Sequence, residues 1–142
     1  MAYVSSFVYA EQIRRQRTKE GDMRNEIINP LQRLRLISVP SNFSFILSCV
    51  ISDFEVGKEH TIKIDFLDPH DKIIATIADL KVPANLSPEK IEKINGIQLD
   101  IDVRNFIFRE EGNYLTKIYF DDIMIGENKI PVISDSEVSH AK

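Results

Sequence analysis

From residue 97 to residue 133 the sequence alternates apolar and polar side chains with a period of two, and this restricts the fold more than any other feature. Ile97, Leu99, Ile101 and Val103 alternate with Gln98, Asp100, Asp102 and Arg104. An extended chain gathers the four apolar residues on one face, whereas a helix would scatter them. Beyond Gly112 the alternation resumes, with Tyr114, Thr116, Ile118 and Phe120 on one side and Leu115, Lys117 and Tyr119 on the other. Asp121 and Asp122 then interrupt it before an apolar run at 123–125, which is the signature of a hairpin. The class is all-β.

The same reading applies upstream. Aromatic and β-branched residues favour a strand over 3–13, although Val4, Phe7 and Val8 can also be drawn as one helical stripe. Leu34 and Leu36 alternate with Arg33 and Arg35 in a strand over 31–39 that Pro40 closes. The most apolar run, 43–54, places Phe43, Phe45, Leu47, Cys49 and Ile51 on one face. Further strands are predicted over 61–67, 72–77, 97–108, 113–120 and 123–133. Asp68-Pro69-His70-Asp71 makes a turn between two of them, because proline presets φ and the Asp68 carboxylate can accept a backbone N–H. Ser87, Pro88 and Gly96 carry the start and stop signals of a short helix around 87–95.

These segments sum to an antiparallel, Ig-like β-sandwich of about seven to eight strands, with one helix in a crossover. The sandwich is expected to occupy residues 1–133 as a single domain, interrupted by a long polar and basic loop at 14–29. A disordered C-terminal tail follows at 134–142. Gly112 and Tyr114 open a strand in the manner of a tyrosine corner, where the phenol bonds back to the backbone, so Gly112, Tyr114 and Pro69 are assigned structural roles. Thr116 stands two residues later, where antibody domains carry a cysteine.

Little in the sequence speaks for chemistry. Cys49 is the only cysteine, so no internal disulfide can form, and its apolar setting predicts a buried, inert thiol. His60, His70 and His140 have no zinc-ligand spacing. There is no Gly-x-Ser-x-Gly elbow or glycine-rich phosphate loop. No catalytic residue, metal or cofactor is therefore assigned. Acidic turns at Asp53 and Glu55, at Asp68 and Asp71, and at Asp121 and Asp122 admit a calcium site. Backbone roles for these residues are the expectation instead. No apolar run is long enough to span a bilayer, no leader is apparent, and a cytoplasmic protein is expected.

The net charge of −4 is unevenly spread. Residues 1–42 hold seven Lys and Arg against four Asp and Glu, and residues 43–142 hold eleven against eighteen. The basic cluster Arg14, Arg15, Arg17, Lys19 and Arg24 supplies the candidate contacts, either for a protein partner that orders the loop or for phosphates. The expected function is a non-enzymatic protein-binding or accessory module that uses loops and edge strands, self-association through an edge included. The alternative is a nucleic-acid-associated protein using the basic residues of 14–35, which lack aromatic side chains to stack on bases. An enzyme or a calcium-binding module comes third.

The order of motifs resembles an uncharacterised bacterial family of small, single-domain, Ig-like sandwich proteins. The shared points are Phe7-Val8-Tyr9-Ala10-Glu11, Val39-Pro40, Gly57 followed by His60-Thr61, Leu67-Asp68-Pro69, Gly112-x-Tyr114 and Ile130-Pro131-Val132. The resemblance spans most of the chain and departs from the family in the length of the charged loop at 14–29. It implies the sandwich fold and no chemistry.

Overall fold

The computed structural model describes residues 1–21, 23–84 and 96–135. The described elements are nine strands: β1 (Tyr3–Arg17), β2 (Met23–Pro30), β3 (Leu34–Leu36), β4 (Ser41–Ser52), β5 (His60–Leu67), β6 (Ile73–Val82), β7 (Gly96–Phe108), β8 (Gly112–Phe120) and β9 (Ile123–Ser134). They form a four-stranded sheet in the order β2-β1-β4-β7 and a five-stranded sheet in the order β3-β9-β8-β5-β6. All pairings are antiparallel except β3 with β9.

One core lies between the sheets. Phe45, Leu47, Cys49 and Ile51 from β4 meet Ile62, Ile64 and Phe66 from β5 and Tyr114 and Ile118 from β8, all essentially inaccessible. Aromatic rings fill the end nearest β8, with Phe66 stacked on Tyr114 at 5.7 Å and Phe108 edge-on to Tyr114 at 5.1 Å. At the centre, the Tyr9 and Thr116 hydroxyls are 2.7 Å apart and join β1 to β8 across the core. Burial pushes the Tyr9 phenol up to about 12 and the Cys49 thiol, beside the Asp100 charge, also to about 12. Both stay protonated at neutral pH.

The turns follow from their residues. Asp121 and Asp122 both have positive φ, 50° and 66°, as the two-residue turn between Phe120 and Ile123 requires. The Asp68 carboxylate accepts the backbone N–H groups of His70 at 2.8 Å and Lys72 at 3.0 Å. The Tyr114 hydroxyl donates to the Glu110 carbonyl at 2.8 Å, four residues upstream, and Gly112 at φ 138° packs against Pro69 where a Cβ would come within 2.7 Å.

Three expectations need correction. Residues 14–29 are not a loop: they belong to a β1–β2 hairpin whose short connection contains Gly21 at φ 90°. Water flanks much of this hairpin, so it needs no apolar alternation to form, and the ladder runs from Ala10 opposite Pro30 to Arg17 opposite Met23. The strand expected over 31–39 shrinks to the three residues of β3, because β9 offers a parallel partner only at Val132–Ser134. With β2 in place of the expected loop, the described residues hold nine strands rather than seven to eight. The helix around 87–95 and residues 136–142 of the expected tail lie outside the described residues. Ser134 is buried at the end of β9, and Asp135 ion-pairs with Arg35 at 3.1 Å.

Candidate functional site

Among the described residues no ladder joins the two sheets between β6 and β7. β6 ends the five-stranded sheet and β7 ends the four-stranded sheet, so among the described residues each carries a row of backbone groups with no ladder partner. Where the start of β6 faces the end of β7, a cleft of about 630 Å³ opens. Ile73 and Ile74 line it from β6, Asn105 to Ile107 from β7, and Tyr114 from below. Ile73 is 56% exposed, Ile107 52% and Ile74 38%. Three neighbouring isoleucines left wet on one surface form the kind of patch that marks a contact site.

The charged residues of the cleft are of both signs. Asp68 is held by the N–H groups of its own turn, and the Lys72 N–H foremost keeps its carboxyl below the ordinary range. Glu110 meets the His70 ring at 2.7 Å, and Arg104 is tied to Asp102 at 2.8 Å. Lys72 and Arg109 also line the cleft and have no ion pair among the described residues. The cleft thus carries charges of both signs, with Lys72 acting on the nearby Asp68 carboxylate.

The basic residues expected to make contacts do not form one surface. Strand alternation puts Arg15 and Arg17 on one face of the hairpin and Arg14 and Arg24 on the other. Arg15 reaches the Asp100 carboxylate at 3.5 Å. Asp100 pairs through Ser48 with Val8, seven residues before Arg15, so a straight β1 would place Arg15 ~23 Å further along. The hairpin therefore bends back over the outer face of its sheet. Glu26 sits opposite Arg14 and accepts from Gln16 at 3.0 Å. Arg17, Lys19 and Arg24 share a shallow hollow of about 350 Å³ at the hairpin end with Glu20.

A second hollow, about 260 Å³, is lined by Phe54, Phe120, Ile123 and Ile125 together with Asp53, Glu55, His60 and Asp121. Two acidic turns thus come near each other, but Asp121 already accepts from His60 and from the Thr61 N–H at 2.9 Å. Among the described residues no three His, Cys, Asp or Glu side chains gather as metal ligands.

The cleft residues Lys72, Ile73, Ile74, Ile107 and Arg109 escaped the sequence reading. A signal was present in adjacent apolar pairs: Ile73-Ile74 and Phe106-Ile107-Phe108 break the alternation, and in a strand one of two neighbours must face away from the core. Which of them faced water depended on the sheet order.

A family of unknown function (DUF6941) matches residues 25–133, and the chain belongs to that family. No curated protein matches it. Among solved structures it is similar to part of the beta-glucosidase from Listeria innocua in complex with glucose, with TM-score 0.50 and 10% identity over 93% of this chain and 16% of that one. It is also similar to part of the Pseudomonas fluorescens alkylpurine DNA glycosylase AlkC bound to DNA containing an abasic site analog, with TM-score 0.47 and 9% identity over 94% of this chain and 30% of that one. The chain thus spans less than a third of either protein. The first likeness concerns the fold alone.

Proposed function

We propose that this member of a family of unknown function is a non-enzymatic binding module of the cytoplasm, and that it takes an extended segment of a partner protein along the β6–β7 edge. The observation that carries the reading is the cleft itself: two edge strands, each with one unpaired side among the described residues, and three exposed isoleucines lining the space where they meet. A strand that adds to a sheet edge gains main-chain hydrogen bonds, and side-chain pockets beside the edge select its sequence. The interior supports the same reading, because aromatic rings fill it and its Tyr9–Thr116 pair is satisfied internally. Cys49, a buried free thiol, suits a reducing compartment. We read the fold as Ig-like on the adjacency of β9, β8 and β5, the adjacency of β1, β4 and β7, and the corner at Tyr114.

The test is selection from a displayed library of short random peptides, run on the wild-type protein and on an Ile74→Lys/Ile107→Lys variant. Both positions are exposed, so the variant keeps its fold. Peptides enriched on the wild type and lost on the variant are the expected result. A library that the wild type enriches no better than the variant overturns the proposal.

A further inference from the structure

We infer that β2 is a self-recognising edge: two copies of this chain join antiparallel through residues 23–27, with Arg24 of each opposite Glu26 of the other. The inference concerns a different edge from the β6–β7 cleft and stands or falls apart from it. β2 ends the four-stranded sheet, so among the described residues its outer side has no ladder partner. Its register with β1 is constant from Gln12 opposite Ile28 to Arg17 opposite Met23, and no bulge turns that side away. Asn29, at φ 54°, and Pro30 close the usable stretch. Arg24, Asn25, Glu26 and Ile27 are all exposed. An edge of this kind is where a further strand adds.

Charge complementarity selects the occupant. Closely and widely spaced residue pairs alternate along an antiparallel ladder, so two identical strands related by a twofold axis must centre it on one residue facing its own copy. Centred on Arg24, the axis sets two arginines face to face; centred on Glu26, it sets two glutamates. Like charges directly opposite are destabilising. Centred on Asn25, the axis sets Arg24 opposite Glu26 twice, and the two Asn25 amides, each with donors and an acceptor, meet upon it. Both charges are available. Arg24 has no ion pair among the described residues, and Glu26 accepts from Gln16 at 3.0 Å with one oxygen and keeps the other. Within the hairpin Arg14 lies opposite Glu26 and Gln16 opposite Arg24, so a row across the four joined strands reads Arg14, Glu26, Arg24, Gln16. Each glutamate then lies between two arginines, and no like charges face each other. Of the other charges near Arg24, Arg17 is on the opposite face of the hairpin and Lys19 and Glu20 are in its connection. Ile27, 44% exposed in the single chain, comes to lie against the second β2. The charged edge thus discourages the neighbouring registers and accepts itself in one.

The test is sedimentation velocity over a concentration series. The paired stretch is short, well under a standard interface, so the series runs to about 1 mM. The wild type should show a reversible dimer. Arg24→Glu alone and Glu26→Arg alone each set like charges opposite twice, and each should weaken that dimer about ten-fold or more. Mixed in equal amounts, the two variants should regain it, because every facing pair is then of opposite sign. An Arg24→Glu/Glu26→Arg double exchange also keeps opposite signs and should dimerise like the wild type, which checks that the hairpin tolerates the exchanged charges. A wild type that stays monomeric at about 1 mM overturns the inference. So does a dimer indifferent to either single variant, or one that neither the mixture nor the double exchange restores. A dimer that the Ile74→Lys/Ile107→Lys variant abolishes overturns it too, since the copies then meet at β6 and β7.

Discussion

Both ring nitrogens of His60 face acceptors: Nδ1 lies 2.7 Å from Asp121 Oδ2 and Nε2 lies 2.6 Å from the Glu55 carbonyl. A neutral imidazole can donate only one proton, so the cation alone satisfies both. Burial works against that cation, but the Glu55 carbonyl and then the Asp121 carboxylate outweigh it and raise the pKa above its ordinary 6.5. The rings of Phe120 and Phe54 enclose the histidine at 4.8 and 5.8 Å, and Asp53, Glu55, Lys58 and Glu59 are the charged residues of the same loop, the Glu55 charge also favouring the cation. Burial likewise opposes the Asp121 charge, yet the His60 bond and the Thr61 N–H hold that carboxyl below 3.8. The two contributions bound a window. The His60 contribution is complete below pH 6.5 and fades as pH climbs through the raised folded value. The Asp121 contribution is complete above 3.8 and fades as pH falls through the lowered one. Between about pH 5.5 and 8.5 the melting temperature of the wild type should therefore fall relative to that of a His60→Gln variant. A constant difference between the two would contradict this account of His60.

At the scale of elements, the hairpin shows what period-two reading detects and what it misses. β8 was legible because its alternating face is dry, with Tyr114, Thr116, Ile118 and Phe120 all buried, and β7 because its alternation runs unbroken from Ile97 to Val103 although that face is only partly covered. The hairpin beyond Ala10 has no dry face, so its residues carried no such pattern. Asp100 escaped for a related reason. It points outward from β7, where an exposed carboxylate was expected, yet its side chain is only 13% accessible. Ser48 donates to one oxygen at 2.7 Å, and the other is buried without a hydrogen-bond partner. Arg15 supplies the opposite charge, and no local pattern could link residues 85 positions apart. Removing that charge leaves a nearly buried carboxylate uncompensated, while the solvent around the exposed Arg15 limits the loss. Arg15→Ala should cost about 1 kcal/mol more than Arg14→Ala in chemical denaturation, since Arg14 has no ion pair among the described residues. Equal midpoints for the two variants would show that the Arg15–Asp100 contact contributes nothing.

Over the whole molecule, the strand content was readable from alternation, but the distribution of strands between sheets was not. The alternating run at 97–120 divides at the corner before Gly112, with β7 in one sheet and β8 in the other. Ile97, Leu99 and Ile101 are consequently only partly covered, as befits an edge strand. That same division leaves β6 and β7 without a ladder between them among the described residues and creates the cleft, so the site could be located only after long-range pairing was known. The most direct test is an amide-resolved NMR titration of the protein with a peptide drawn from the pool selected on the wild type. Shifts should concentrate on residues 72–76 and 104–109 and vanish in the Ile74→Lys/Ile107→Lys variant. Shifts centred on the hairpin end at 14–26, with the β6 and β7 amides unmoved, would contradict the claim that this module binds through its β6–β7 edge.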